Sequence, residues 1–321
     1  MPGEPYPAAP SARDGWILAR RGPRNAVDPL RAAGAFVEEE LTERGSLASV
    51  ATLFLTNREC PWRCLMCDLW KNTTEDSVPR GAVPAQIAGA LAALPLAERV
   101  KLYNSGSFFD PRAIPPEDHG AIASLLVPFE RVIVESHPAL VGDACLSFRD
   151  RLEGSLEVAV GLETAHAAAL ERLNKRMTVD DFLRAARRLK SEAIALRVFV
   201  LLGVPLLSPE ESVAWTLTSV QVAFDAGATA VTIIPTRSGN GALEALQEEG
   251  GFAPPTLEAF EEAVALAVGL GRGRVFADLW DLGNLRRCGA CFPARAARLA
   301  AINRTQTVPP GVRCACREKD S

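Results

Sequence analysis

The sequence has no apolar run long enough to span a bilayer. Its first residues, MPGEPYPAAPSARDG, lack the apolar stretch and cleavage site of a secretory signal. Neither a membrane span nor export is therefore expected, and the chain is read as cytoplasmic. Positive charge is not in excess. The formal net charge of -4 gives no overall attraction for nucleic acid or an anionic membrane, although a local basic face stays open. No internal repeat is visible, nor any low-complexity tract beyond the Pro- and Ala-rich start. Gly239 and Gly241 make no dinucleotide fingerprint, because the required βα glycine pattern is missing.

What is present suits a soluble globular chain: 48% hydrophobic and 23% charged residues. At 321 residues it has room for one large α/β domain with appendages, or two modest domains. Eight cysteines in a reducing compartment point to metal ligation rather than disulfides.

Residues 1–47 read as an N-terminal extension without clear period, its first fifteen residues mobile. From there short apolar runs recur at Val50–Leu55, Val100–Tyr103, Val132–Val134, Leu156–Val160, Leu196–Leu202, Ala230–Ile234 and Val275–Ala277. Helical segments lie between most of them, among them Ala85–Leu94, Val179–Lys190, Pro209–Phe224 and Thr256–Leu270. Thr178 with Asp181 reads as an N-cap with an acidic first turn. This alternation predicts a parallel sheet covered by helices, and it fits a complete or partial (β/α) barrel of the TIM type over residues 48–280. In such barrels chemistry gathers at the C-terminal ends of the strands. Residues 281–321 form a short Cys-rich segment.

The loop after the first of these runs reads Thr56-Asn-Arg-Glu-Cys60-Pro-Trp-Arg-Cys64-Leu-Met-Cys67-Asp-Leu-Trp70. Three thiolates can each take one iron of a cubane cluster, and the absent fourth leaves an iron open, as a catalytic site requires. A zinc site completed by Asp68 or by a distant Cys or His is the alternative reading. Further residues of interest follow later runs: Asn104, Ser105 and Gly106, then Glu135 and His137, then Glu163, then Pro235. Glu135 and His137 could bind substrate or move protons. A hydrogen-bonded surface His before a proline is equally compatible. Arg197 stands within a run, where charge is costly unless it meets a polar lumen or a partner. Asp278 and Trp280 could line the cavity. His119 and His166 are given no role.

The cysteine spacing and its position resemble the radical S-adenosylmethionine (radical SAM) superfamily. In that family the open iron of a [4Fe-4S] cluster binds the methionine amino and carboxylate groups, and reduction yields a 5′-deoxyadenosyl radical that abstracts hydrogen. The resemblance implies cofactor contacts for Met66, Asn104, Ser105, Gly106, Glu163, Arg197 and Pro235. Met66 replaces an aromatic common in the family beside adenine, a packing role that a Met can fill. Glu163 is the implied ribose ligand. The resemblance allows Lys175 or Arg176 a place facing the cofactor carboxylate, but a surface charge pair is the plainer reading. The segments Asn104-Ser-Gly-Ser-Phe-Phe-Asp110, Gly161-Leu-Glu-Thr164 and Leu173-Asn-Lys-Arg-Met-Thr178 are similar to the elongator-acetyltransferase-like radical core, and most of all to the archaeosine synthase radical subunit family. This implies a modified tRNA base or nucleoside as substrate, and an electron donor such as a flavodoxin or ferredoxin.

Near the C-terminus, Cys288 and Cys291 precede Cys314 and Cys316 by a loop. Four sulfur ligands suit a structural zinc or an auxiliary iron–sulfur cluster. Cys145 reads as a small buried hydrophobe. Two other functions remain open: the same radical chemistry on a small metabolite or peptide, and a noncatalytic metal-binding interaction protein built around the last four cysteines.

Overall fold

β-Branched and aliphatic residues at every second position, in segments separated by helices, build an eight-stranded sheet wrapped by helices. A computed structural model describes residues 5–318. In chain order the elements are helix α1 (Pro10–Leu18), strands β1 (Gly34–Leu41) and β2 (Leu47–Phe54), and helix α2 (Ala82–Ala93). Strand β3 (Arg99–Tyr103), helix α3 (His119–Leu125), strand β4 (Arg131–Ser136), helix α4 (Asp143–Arg149) and strand β5 (Ser155–Glu163) follow. Helices α5 (Ala167–Arg172) and α6 (Val179–Ser191) lead to β6 (Ala195–Leu202) and α7 (Ser212–Asp225). The chain continues through β7 (Ala230–Pro235), α8 (Ala242–Glu248), α9 (Leu257–Gly269), β8 (Arg274–Ala277) and α10 (Phe292–Thr305).

The strands stand in sequence order, β1 to β8. Every pair from β2 to β8 is parallel, whereas β1 runs antiparallel to β2, with Gly34 opposite Phe54. The sheet therefore begins inside the stretch read as an extension, one strand before the first expected run. That stretch also holds α1, whose Arg13, Trp16 and Ile17 are buried, so residues from Pro10 onward are docked rather than loose. Residues 1–4 of the segment expected to be mobile lie outside the described residues.

One sheet face packs on the helices through Val100, Leu102, Val132, Val134, Val158, Val160, Val198, Val200, Val231 and Ile233, which join a single apolar core. The residues between them point into the lumen, as the two-residue period of a strand requires. The open edge at β8 is covered by α10. The side-chain amide of Gln306 meets both the N–H and the C=O of Val275, and Asn303 does the same for Ala277. These amides take the place of a neighbouring strand on an edge that would otherwise be bare. Among the described residues no helix is long and apolar enough to cross a membrane.

Candidate active site at the barrel mouth

The cysteine loop leaves the C-terminal end of β2 and is pinned at its base by main-chain bonds from Glu59 N–H to Thr74 O and from Thr74 N–H to Asn57 O. Its tip is held from outside the loop. Leu65 donates its N–H to Leu173 O at 2.9 Å, and the Asn174 amide donates to Arg63 O at 2.7 Å. The Asn240 amide donates to Leu65 O at 2.7 Å. Leu65 is sealed in a small core with Trp16, Ile17, Leu243 and Leu246, so α1 and α8 clamp the loop from behind. Glu59 gathers Arg21, Arg24 and Arg63.

Burial pushes the thiol of Cys60 up to about 11 and that of Cys67 up to about 12, and Cys64 rises as well. Such thiols ionise when a metal supplies the compensating charge. One permanent cation already stands beside them. Burial opposes the charge of Lys175, yet Glu163 and the thiols of Cys64 and Cys60 outweigh burial and raise its pKa. Lys175 is buried, correcting the expectation of a surface charge pair. Its Nζ donates to Gly161 O at 2.7 Å and to Glu163 Oε1. Gly161 leaves the room for this pair, since a Cβ there would lie 2.3 Å from Lys175 Nζ. Glu163 itself sits at φ +65°, at a bulge between β5 and β6.

The turn Asn104-Ser105-Gly106 approaches from β3. A Cβ on Gly106 would lie 3.3 Å from the Cβ of Cys60, so the turn is in contact with the cysteine loop. Glu135 sits beneath it. Its Oε1 accepts the N–H of Asn104 at 2.6 Å and that of Gly106 at 3.4 Å. Burial raises the Glu135 carboxyl to about 7, against the pull of these amides. The Asn104 side chain is fully buried, and neither its nitrogen nor its oxygen has a hydrogen-bond partner among the described residues. An orphaned amide is costly unless something polar meets it.

His137 is held through both ring nitrogens. Its Nδ1 accepts from Ala139 N–H and its Nε2 donates to Lys175 O, so both ring nitrogens are engaged. Burial, reinforced by Lys175, lowers its pKa to about 4. The ring stacks on Trp62 of the cysteine loop, centroids 3.7 Å apart. His137 is thus a positioning residue that ties β4 to that loop.

Arg197 lies elsewhere. It stands five residues before Leu202, roughly 16 Å back along the strand at about 3.3 Å per residue. Its Nε donates to Glu157 at 2.6 Å and its Nη1 to Glu40 at 2.9 Å. The guanidinium is therefore spent in the barrel floor, with Lys101, Arg131 and Arg274 around the same acids. Above that floor the lumen carries Phe36, Phe54, Tyr103, Phe199 and Trp280, with neighbouring ring centroids 5.7–6.3 Å apart. The Glu38 side chain stays 40% exposed at its base, held by Lys101 and Thr52.

Pro235 ends β7 and is buried. Beyond it the hydroxyls of Thr236 and Ser238 are buried without partners among the described residues. Arg237 binds Asp278 at 2.9 Å and the carbonyl of Trp280 at 2.6 Å, so the loops after β7 and β8 are joined. Met66 packs partly buried between the two cores. Sequence reasoning missed Asn174 and Asn240 as loop clamps and Trp62 as a stacking partner. Each lies in a quoted segment, but no pattern marks the amides as partners of the loop's carbonyls.

No protein-family model matches the chain. Among sequence relatives, an uncharacterized protein of Methanocaldococcus jannaschii is 22% identical over 73% of this chain and 68% of its own length. Archaeosine synthase subunit beta of Methanosarcina acetivorans is 31% identical over 49% of this chain. That match spans 47% of the relative, about half its length. Among solved structures, Streptococcus suis SuiB bound to its precursor peptide SuiA covers 71% of this chain and 48% of its own, with TM-score 0.51 and 10% identity. Coproporphyrinogen III oxidase of Escherichia coli, a radical SAM enzyme, covers 81% of this chain and 56% of its own, with TM-score 0.48 and 11% identity. At this identity the likeness to SuiB is one of fold. That fold is a curled eight-stranded half-barrel with helices, a partial (β/α) barrel rather than a closed one.

Proposed function

We propose that this chain is a radical SAM enzyme that holds a [4Fe-4S] cluster on Cys60, Cys64 and Cys67, cleaves S-adenosylmethionine there, and acts on a modified base in tRNA. The observation that carries the reading is the convergence of three thiols, a buried lysine and an orphaned amide at one strand-end mouth. The donor set fits: three sulfurs leave one iron of a cubane open, and among the described residues Glu135 and His137 bond backbone groups of Asn104 and Lys175. Once bound, the cluster supplies the electron that breaks a carbon–sulfur bond of S-adenosylmethionine and so provides a hydrogen-abstracting radical.

The chain's residues do the positioning. Lys175 offsets thiolate charge from inside the fold. Glu135 fixes the Asn104–Gly106 turn, and Gly106 allows it to reach Cys60. Asn104, with its unused donor and acceptor, suits the amino and carboxylate ends of the methionine moiety, while Thr236 and Ser238 offer hydroxyls across the mouth. Glu163 reaches a ribose only if Lys175 shares its carboxylate. The aromatic lumen suits a planar base taken out of its stack, and Glu38 at the bottom can accept its N–H groups. The name of the Methanosarcina relative favours the tRNA substrate class and a partner subunit. A small electron-transfer protein such as a flavodoxin or ferredoxin would serve as donor.

The test is anaerobic turnover with reductant and S-adenosylmethionine, with and without tRNA from an archaeal source, followed by nucleoside mass analysis. A new nucleoside mass together with tRNA-stimulated 5′-deoxyadenosine is the expected outcome. Indifference to tRNA, with turnover restored by a small metabolite or peptide, would replace the substrate class and keep the chemistry.

A further inference from the structure

The four C-terminal cysteines form a group separate from the Cys60, Cys64 and Cys67 triplet and take no part in the chemistry above. We propose that Cys288, Cys291, Cys314 and Cys316 hold a single structural zinc ion that locks α10 and the β8 loop onto the barrel. Their four sulfur atoms all lie within 4.8 Å of one another. Cys288 Sγ is 3.9 Å from Cys314 Sγ, and Cys291 Sγ is 3.7 Å from Cys316 Sγ. Zinc–sulfur bonds of about 2.3 Å at tetrahedral angles give a sulfur–sulfur edge of about 3.8 Å. Those spacings therefore match one ion. Thiolates on a cubane each bind a different iron and radiate outward from the cube, which sets them much further apart. The spacings also exceed the bonded length of a disulfide, about 2.05 Å.

Four thiolates around one ion leave no open coordination position, so the site is structural rather than catalytic. Arg287 lines the same hollow as Cys288, Cys291 and Cys316, beside Arg295, which is itself paired with Glu258 and Glu261. The ligands come from both ends of one arm. Cys288 and Cys291 stand just before α10, and the chain returns past Pro309 and Pro310, whose carbonyls accept from Arg298, to bring Cys314 and Cys316 back. The arm between β8 and α10 carries Asp278 and Trp280, which line the mouth, and α10 itself seals the β8 edge through Asn303 and Gln306. Zinc thus fixes one wall of the barrel, and this holds whatever the substrate.

Metal analysis of the full chain tests the assignment. The Cys60→Ala/Cys64→Ala/Cys67→Ala variant should retain one zinc per chain and show no iron–sulfur absorption after anaerobic reconstitution. Wild-type protein should carry one zinc plus four irons. A mercurial titrated into the wild type with a zinc-sensitive dye should release that zinc as the thiols react, which needs no folded variant. Cys314→Ser/Cys316→Ser should lose the zinc, lower Tm, and move the fluorescence of Trp280. Cluster absorption in the triplet variant, roughly eight irons in the wild type, one tetrathiolate-bound iron per chain, or disulfides at these cysteines would each overturn the proposal.

Discussion

Glu135 and His137 stand two residues apart at the end of β4, and burial acts on them in opposite directions. The carboxyl is raised to about 7 and the imidazole lowered to about 4. Above about 5 the His137 ring is neutral, so it contributes no limb to a pH–rate profile in the physiological range. Glu135 ionises as pH rises through about 7, and only the ionised form is a full acceptor for the Asn104 and Gly106 amides. Formation of 5′-deoxyadenosine should therefore rise with pH through about 7. The inflection should survive in His137→Phe, which keeps the stack on Trp62, and vanish in Glu135→Gln. Its loss in the histidine variant would restore a proton-carrying role to His137. At Gly106 the constraint is steric. Gly106→Ala puts a Cβ against Cys60 and should cut turnover roughly tenfold to a hundredfold through misplacement of the turn. Unchanged turnover would mean the turn does not meet the cofactor.

At the scale of elements, the barrel floor is the least legible feature in the sequence. Lys101 and Arg197 interrupt apolar runs, and a lone charge in a strand does not reveal its partners. Their partners Glu38 and Glu40 come from β1, in a stretch with no clear hydrophobic period. Without them, Arg197 reads as a cofactor ligand; with them, it is a floor residue. Arg197→Leu leaves Glu40 and Glu157 facing each other and should cost about 3–5 kcal/mol in denaturant unfolding, with iron loading of the cysteine triplet unchanged. Loss of loading at unchanged stability would put Arg197 at the cofactor after all. The floor also fixes an acid response. Burial alone would raise Glu40, Glu43 and Glu157, but Arg197, Lys101, Arg99, Arg131 and Arg274 hold them below their ordinary 4.5, with Glu43 at about 2. Groups depressed in the folded state stabilise it above the unfolded value, and that stabilisation is lost as pH falls from 4.5 toward 2 and below. The urea midpoint should fall across that window, less steeply in Glu157→Gln; a flat profile to pH 3 would contradict the network. Helix starts were easier to read. The Thr178–Asp181 capping box forms as expected, and Thr178→Ala should cost about 1 kcal/mol.

Across the whole molecule, the seven parallel strands and helices α2, α6, α7 and α9 were legible in apolar runs and turn residues, because those are local signals, whereas β1 was not. The mouth depends on distant segments meeting: α1 and α8 behind the cysteine loop, Asn174 and Asn240 on its carbonyls, and Lys175 brought inward by the turn after α5. Spacing showed the three thiols; packing alone shows that a cation and an orphaned amide lie with them. The most direct measurement is the yield of 5′-deoxyadenosine from the anaerobically reconstituted chain, given S-adenosylmethionine and dithionite. The account predicts product from the wild type and none from Cys64→Ala, although the latter keeps its zinc. A wild-type chain with an intact cluster that releases no 5′-deoxyadenosine would contradict it.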